Sequence, residues 1–221
     1  MEITWLGHAC FRIKSTHGII ITDPCNPETG YILGKQTARI VTVSHKHPDH
    51  CYTEGISGEY RLVDRPGEYE ISDIMIIGIS TFHDGQRGER HGKNIVFLIE
   101  TDDISICHLG DLGHILTASQ VEQLEPVDVL LIPVGGQTTI NATMAAEIVR
   151  QLEPKIVIPM HYRTPVFPAG TIELDPVDRF LTEMGATSVV PQPKLNVTRS
   201  SLPETTQICV LDYPKANVSP Q

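Results

Sequence analysis

The chain lacks the basic surface that a nucleic-acid-binding protein needs. It carries 17 Lys and Arg residues against 27 Asp and Glu residues, which gives a net charge of −10 and a pI near 5.4. Contact along a phosphate backbone requires stripes of cationic side chains. The composition therefore argues against a nucleic-acid partner, although it leaves room for a local basic pocket that binds a small anion.

Long apolar segments are missing as well. The longest runs, residues 74–79 and 127–134, are far shorter than the roughly 20 residues that a membrane-spanning helix needs. Residues 1–5 contain neither the basic segment nor the apolar segment of a secretory signal. From the sequence we expect no membrane association and a cytoplasmic location.

Cysteine is scarce, and its spacing is irregular. The five cysteines are odd in number and form no Cys-x-x-Cys pair, so a disulfide framework is not expected. Hydrophobic residues make up 40% of the 221 residues, which is enough for a complete core. Because no linker-like stretch interrupts the chain, we predict a single domain over residues 1–221. The last ten residues are polar and contain proline, and we expect them to fray.

One short stretch concentrates metal-ligand types. Three histidines and one aspartate fall within the six residues His45-Lys46-His47-Pro48-Asp49-His50, directly after an apolar segment, residues 40–43, that predicts a buried strand. In extended backbone His45 and His47 point to the same side. A loop held at the end of a strand is a good position for a metal site. A single ion could bind some of these groups, and use of all four suggests two ions.

Two other predicted strands also end in ligand types. The apolar segment 104–107 is followed by His108 and, three residues later, by Asp111, and the segment 155–160 is followed by His161. A lone histidine at a strand end is more often a surface residue or a hydrogen-bonded one. Because the cluster at residues 45–50 already supplies several metal-ligand types, a role in metal binding is favoured over that alternative. We therefore expect these strand ends to converge on one edge of a sheet.

Strands dominate the first half of the sequence, and strands alternate with helices in the second half. Thr117 and Gln120 form a capping-box pattern at the start of a helix. Asn141 can cap a helix over residues 142–152, and a third helix is predicted over residues 175–184. This order predicts a mixed α/β layer structure with two sheets covered by helices.

These residues resemble the metallo-β-lactamase superfamily. The signature His-x-His-x-Asp-His appears as residues 45–50, and His108, Asp111 and His161 match the remaining ligand positions in the expected order. The resemblance covers most of the chain and looks like the branch of ascorbate-6-phosphate lactonase-like hydrolases. The stretches that carry it are Trp5-Leu6-Gly7-His8-Ala9-Cys10-Phe11, Thr22-Asp23-Pro24, His108-Leu109-Gly110-Asp111-Leu112-Gly113-His114, Val134-Gly135-Gly136 and Ile158-Pro159-Met160-His161-Tyr162.

The resemblance implies a four-layer αββα sandwich with a binuclear metal centre at one edge. Carried over by position, one ion would be held by His45, His47 and His108, and the other by Asp49, His50 and His161. Asp111 would bridge the two ions, and Asp49 and Asp111 would be the catalytic carboxylates.

The implied chemistry is hydrolysis at an electrophilic carbon or phosphorus atom. Zn²⁺ is the metal that we expect first, and Mn²⁺ or Fe²⁺ also suits imidazole and carboxylate ligands. A hydroxide bridged by the two ions would attack a small ester, lactone, amide or phosphoester. The alternatives are a phosphodiesterase or nuclease of the same superfamily, and a non-catalytic metal-binding regulatory protein that keeps the fold. The oligomeric state is open, a homo-oligomer included.

A second group of residues has weaker support. Asp23 would orient a ligand histidine, or it is simply a turn residue before a proline. His8 would line the site or cap a turn. His83 and His114 would contact substrate or support the ligands, and ordinary structural roles are the alternative for both.

Basic side chains on the surrounding loops are a further set of candidates. They would bind a phosphate or carboxylate group of an anionic small-molecule substrate. Solvated loop charge is the alternative for each of them. The set consists of Lys46, Arg87, Arg90, Lys93 and Arg163. His17 and His91 are predicted to be ordinary surface residues.

Overall fold

Two β-sheets packed face to face form the centre of the structure, a computed structural model that describes residues 1–168 and 173–214. The described strands are β1 (Glu2–Gly7), β2 (Cys10–Lys14), β3 (Ile19–Thr22), β4 (Gln36–Thr37), β5 (Ile40–Thr42), β6 (Ile56–Ser57), β7 (Arg61–Val63), β8 (Gly67–Ile71), β9 (Ile74–Phe82), β10 (Lys93–Thr101), β11 (Ile104–His108), β12 (Val129–Pro133), β13 (Ile156–Met160), β14 (Leu195–Asn196) and β15 (Gln207–Ile208). The α-helices are α1 (Ala118–Leu124), α2 (Ala142–Leu152) and α3 (Val177–Glu183). Single turns of 3₁₀ helix lie at Pro27–Thr29, Thr53–Gly55 and Arg199–Ser201.

The first sheet has the strand order β14-β1-β2-β3-β5-β7. Its strands β1, β2 and β3 are antiparallel neighbours, whereas β3, β5 and β7 are parallel. Because parallel strands end at the same edge of a sheet, the chain after β3 and the chain after β5 leave side by side. Asp23 therefore lies next to the histidine-rich loop, residues 44–50.

The second sheet has the strand order β15-β13-β12-β11-β10-β9-β8. Strands β11, β12, β13 and β15 are parallel, and β10 runs antiparallel to both β9 and β11. Strands β9, β11 and β13 consequently point in the same direction. The residues that follow them, His83, Asp111 and His161, all emerge at one edge.

Helices α1 and α2 connect successive parallel strands of the second sheet, and α3 follows β13 before the chain crosses to β14 of the first sheet. Helix α2 contacts both α1 and α3, so the three helices form one layer. The predicted caps are confirmed: Thr117 and Gln120 form the capping box of α1, and the Asn141 side chain accepts from the Met144 N–H at the start of α2. Helix α3 is shorter at each end than the predicted 175–184.

The two faces of the first sheet pack into different clusters. Ile20 joins the main core between the sheets, together with Trp5, Phe11 and Phe97, as the alternation of side chains along a strand requires. Ile21 instead joins a smaller cluster on the outer face. Cys25, Tyr31, Leu33 and Ile56 cover that outer face, from chain that contains two single 3₁₀ turns and the short two-stranded parallel sheet β4–β6.

The predicted mixed α/β architecture with two sheets is confirmed. Of the terminal segment predicted to fray, residues 215–221 lie outside the described residues. Among the described residues, no helix has both the length and the apolar character that crossing a membrane requires.

The burial of β12 generates a stability prediction. Leu130 is fully buried in the main core, so Leu130→Ala leaves a cavity and should lower the free energy of unfolding by about 2–5 kcal/mol. Leu62 on the edge strand β7 is 47% exposed, and Leu62→Ala should change it by less than about 0.5 kcal/mol. Urea denaturation measures both. Equal effects of the two substitutions would show that β12 is not a core strand.

Candidate metal centre

The edges of both sheets bring nine His and Asp residues to one small cavity. The first sheet supplies the β1–β2 turn and the loop after β5, and the second sheet supplies the chain after β9, β11 and β13. The cavity has a volume of about 250 Å³. It is lined by His8, His47, Pro48, Asp49, His83, His91, Asp111, Thr138, His161, Phe167 and Leu174. His45 packs against His83 of this lining, and His50 packs against His8 and His161.

Asp111 stands at the centre of this arrangement. Its Oδ2 atom lies 3.1 Å from His83 Nε2, 3.3 Å from both His50 Nε2 and His161 Nε2, and 3.8 Å from His45 Nε2. Burial raises the pKa of the Asp111 carboxyl, but the imidazoles of His161 and His50 outweigh it and hold the pKa well below its ordinary value. A buried carboxylate therefore faces four imidazole nitrogens.

His45, His47 and His83 form one compact group of potential ligands. Their nitrogen atoms lie within 4.8 Å of one another, and His45 Nε2 is 3.0 Å from His47 Nδ1. Ligand atoms on a tetrahedral zinc ion with bonds of about 2.0–2.1 Å are roughly 3.3 Å apart. The group therefore has the spacing that a single ion needs. Burial lowers the pKa of His45 to about 3, with His50 as the next cause, so this imidazole is neutral and able to bind a cation.

A second group lies on the other side of Asp111. His50 and His161 belong to it, and the ligand atoms of His8, His50 and His161 also lie within 4.8 Å of one another. Asp49 Oδ2 is 3.9 Å from His50 Nε2. His50 Nε2 and Asp111 Oδ1 are buried and have no hydrogen-bond partner in the described chain. Buried polar atoms without a partner are rare, and a bound cation would satisfy both. The donor set, all imidazole and carboxylate, fits divalent metal ions.

Hydrogen bonds on the far side of the rings fix which nitrogen of each histidine faces the centre. His50 Nδ1 lies 3.0 Å from Asp23 Oδ2, and His45 Nδ1 lies 2.9 Å from Ser44 Oγ, which in turn donates to the same Asp23 oxygen over 2.5 Å. His83 Nδ1 lies 3.0 Å from the carbonyl oxygen of Thr138. In each ring Nδ1 thus has an oxygen that accepts its hydrogen, and Nε2 is the nitrogen that faces the position a metal ion would take. Asp23 thus takes the orienting position that the sequence suggested.

Left-handed backbone conformations occur at three of these positions. His8 has φ 52°, His161 has φ 51° and Asp23 has φ 37°. Such values are uncommon for non-glycine residues and collect at functional sites. The His161 N–H donates to the His8 carbonyl over 3.1 Å, which ties the two strained residues together across the sheets.

The structure does not bring His108 to His45 and His47, so that part of the sequence-based grouping needs correction. His108 is fully buried at the end of β11. Its Nε2–H donates to the Ala9 carbonyl over 2.8 Å, and its Nδ1 accepts from the Gly110 N–H over 3.2 Å. Neither ring nitrogen is left for a metal ion. His108 instead links the second sheet to the β1–β2 turn.

His83 takes the place beside His45 and His47. It follows the last residue of β9, so the strand-end criterion that selected His161 also applies to it. The sequence order alone could not decide between His83 and His108. Gly113 makes the arrangement possible: its N–H donates to the Phe82 carbonyl, and a Cβ atom at this position would overlap the backbone of His83 and Asp84.

Three other predicted site residues lie outside the centre. His114 accepts from the Phe82 N–H through Nε2 and donates through Nδ1 to the Ile115 carbonyl, so it supports the chain just before His83. Arg87 and Arg163 are exposed and are not among the residues that line the cavity. The proposed roles of these three residues in contacting substrate are therefore not supported by their positions.

His91, which the sequence suggested to be an ordinary surface residue, lines the cavity. Its ring centroid lies 5.2 Å from that of His83. The loop that carries it folds around Asp84, whose carboxylate accepts backbone N–H bonds of 2.7–2.9 Å from Gln86, Gly88, Arg90 and His91. These donors lower the pKa of the Asp84 carboxyl well below its ordinary value.

Comparison with known proteins identifies the family. Residues 2–161 match the β-lactamase superfamily domain. This chain belongs to the metallo-β-lactamase superfamily. It is 28% identical over 218 residues to a UPF0173 metal-dependent hydrolase of Methanopyrus kandleri, over 84% of this chain and 93% of that protein. It is 31% identical to a protein of the same description from Methanoculleus marisnigri, over 76% and 83% of the two chains.

A solved structure from Thermotoga maritima gives the same result. It is that of a proposed zinc-dependent hydrolase of this superfamily, and it is 39% identical with a TM-score of 0.80, covering 96% of this chain and 99% of the other. The sandwich fold of the superfamily, expected from the sequence, is thereby confirmed, and the chain is a metal-dependent hydrolase of that superfamily.

The assignment of His83, in place of His108, to the group of His45 and His47 generates the first prediction for this site. His83→Ala removes a nitrogen that faces Asp111, so this variant should bind about one metal ion fewer per chain than the wild type. His108→Ala should keep the wild-type metal content and lose roughly 1–3 kcal/mol of stability, because the Ala9 carbonyl loses its buried partner. Metal analysis and urea denaturation measure these quantities. Loss of metal in the His108 variant alone would restore the sequence-based grouping.

The loop around Asp84 generates a second prediction. Asp84→Asn leaves one acceptor oxygen in place of two, so amide hydrogen exchange at Gln86, Gly88, Arg90 and His91 should accelerate. In the wild type the pKa of the Asp84 carboxyl is depressed in the folded state. Asp84 therefore stabilises the loop fully at any pH above its ordinary pKa of 3.8, and this stabilisation is lost only as the pH falls through the lower pKa of the folded state. Asp73→Asn, on an exposed turn, is the matched control and should leave this loop unchanged.

Proposed function

We propose that this protein is a binuclear metal-dependent hydrolase of small-molecule substrates. The observation that carries the proposal is the position of Asp111 Oδ2, within 3.1–3.8 Å of four imidazole nitrogens that belong to two groups of ligands. A carboxylate in that position is suited to bridge two cations, and its own charge offsets part of theirs.

The residues divide between the two ions as follows. His45, His47 and His83 would hold the first ion, and Asp49, His50 and His161 the second, with Asp111 shared. Divalent ions held there would supply Lewis-acid chemistry, by lowering the pKa of a bound water molecule and polarising the carbonyl or phosphoryl group under attack. Asp49 and Asp111 contribute to the reaction as ligands that fix this arrangement. Zn²⁺ is the metal we propose, since the Thermotoga maritima protein is described as zinc-dependent, and Mn²⁺ or Fe²⁺ suits the same donors.

The cavity favours a small substrate without an anionic group. Its volume of about 250 Å³ lies below the range of pockets for drug-sized ligands, about 300–1,000 Å³. Phe167, Leu174 and Pro48 give it an apolar wall, and no described residue that lines it is Lys or Arg. A small ester, lactone or amide therefore fits better than a phosphoester, and the cavity offers no support for the nuclease alternative.

Metal removal and reconstitution test the proposal. The chelator-treated protein should be inactive, and Zn²⁺ or Mn²⁺ should restore hydrolysis of p-nitrophenyl acetate or of a simple γ-lactone. Asp111→Asn should lower the rate at least about 100-fold, because a group that organises the reacting charges is lost. Asp73→Asn, remote from the cavity, should react like the wild type.

Two outcomes would count against this function. If Asp111→Asn keeps both the metal content and the rate of the wild type, then Asp111 is not a bridging ligand. If the wild type binds two ions and hydrolyses no ester, lactone, amide or phosphodiester of a broad panel, then the alternative of a metal-binding regulatory protein gains support.

A further inference from the structure

Asp49 is the least supported carboxylate of the candidate centre. Its side chain is 36% exposed, whereas those of Asp111 and Asp23 are 3% and 0% exposed. Asp23 accepts hydrogen bonds from Ser44 and His50. For Asp49, the one hydrogen-bond partner within residues 1–168 and 173–214 is the ring of His8, with Nε2 3.2 Å from Oδ2. Without that contact its carboxylate could rotate between solvent and the cavity.

His8 cannot rotate in the same way. It is 1% exposed, and its ring packs 4.1 Å from the ring of His161 and 4.9 Å from that of His50, measured between centroids. Its carbonyl oxygen accepts from Trp5 Nε1 over 2.9 Å and from the His161 N–H over 3.1 Å. These two bonds hold the left-handed backbone at His8, so the direction of the ring is set by both sheets.

The hydrogen of the His8 ring lies on the nitrogen that faces Asp49. Nε2 lies 3.2 Å from Asp49 Oδ2, and a carboxylate oxygen can only accept, so this contact is a hydrogen bond when the hydrogen is on Nε2. Nδ1 is buried without a partner among the described residues. Among the described residues the Asp49 carboxylate is the one hydrogen-bond partner of the ring, and a hydrogen bond to a charged acceptor is the stronger kind.

We propose that His8 is a positioning residue that holds Asp49 in the orientation in which it binds the second metal ion. The inference rests on the proposed two-ion centre and deepens it. The Nε2–H of His8 occupies one lone pair of Oδ2, which fixes the rotation of the carboxylate and leaves its remaining lone pairs for the ion. The N-terminal hairpin, β1 and β2, thereby acts on the metal centre although it supplies none of the seven ligands in the proposed grouping.

Direct ligation by His8 is the competing interpretation, since its nitrogen lies within 4.8 Å of ligand atoms of His50 and His161. The two interpretations differ in what a glutamine at this position can replace. The amide N–H of Gln can donate to Asp49, whereas Gln does not supply an imidazole nitrogen to an ion. Leu fills a similar space and provides neither function.

The experiment is a Zn²⁺ titration with chelator competition on wild-type protein, His8→Gln and His8→Leu, with His17→Leu as the control at an exposed histidine. The wild type and the control should bind two ions. His8→Leu should bind the first ion normally and the second about 10–100-fold more weakly. His8→Gln should restore the affinity for the second ion. In an Asp49→Ala background His8→Leu should have no further effect, because its target is gone.

X-ray absorption of the zinc-loaded variants supplies an independent readout. The number of imidazoles per zinc should be the same in the wild type and in His8→Gln. A lower number in His8→Gln, together with weak binding of the second ion, would overturn the inference in favour of direct ligation. Unchanged affinity in His8→Leu would also overturn it. If the wild type binds fewer than two ions, the two-ion proposal itself fails, and the inference about His8 fails with it.

Discussion

The arrangement of the site depends on one buried negative charge, that of Asp111. A carboxylate removed from water is costly unless cations or strong hydrogen-bond donors surround it. Four imidazole nitrogens point towards its Oδ2 atom, and two divalent ions would compensate its charge more completely than any of these rings. Rings from both sheets are consequently held around one oxygen atom, and the loops take conformations that keep them there.

Residues that contact the ligand histidines from behind keep their rings in place. Asp23, which directly follows β3, accepts a hydrogen bond from the ring of His50. It also accepts one from Ser44, whose hydroxyl in turn contacts the ring of His45. Parallel pairing of β3 with β5 brings this aspartate beside the loop that it supports. The strain at Asp23, His8 and His161 is tolerated because hydrogen bonds and packing determine each position from several sides.

The sequence predicted the site residues that are contiguous or that follow a recognisable strand. Residues 45–50 are contiguous, and Asp111 and His161 follow strands whose direction can be inferred, so their convergence was predictable. The choice between His83 and His108 was not, because both stand at a strand end and the decision lies in where each ring finds partners. His108 meets the Ala9 carbonyl and the Gly110 N–H, contacts between segments that only the packing of the two sheets defines. The position of His91 depends in the same way on how residues 84–91 fold around the Asp84 side chain.

The division of ligands between the sheets has a consequence for the fold as a whole. Each proposed ion takes ligands from both: His45 and His47 come from the first sheet and His83 from the second, while His50 and His161 divide likewise. Each ion would therefore link the two sheets of the sandwich. A ligand that binds only the folded chain, at 1,000 times its dissociation constant, adds about 4.1 kcal/mol of stability. Removal of the ions would therefore lower the stability of the fold as well as the activity.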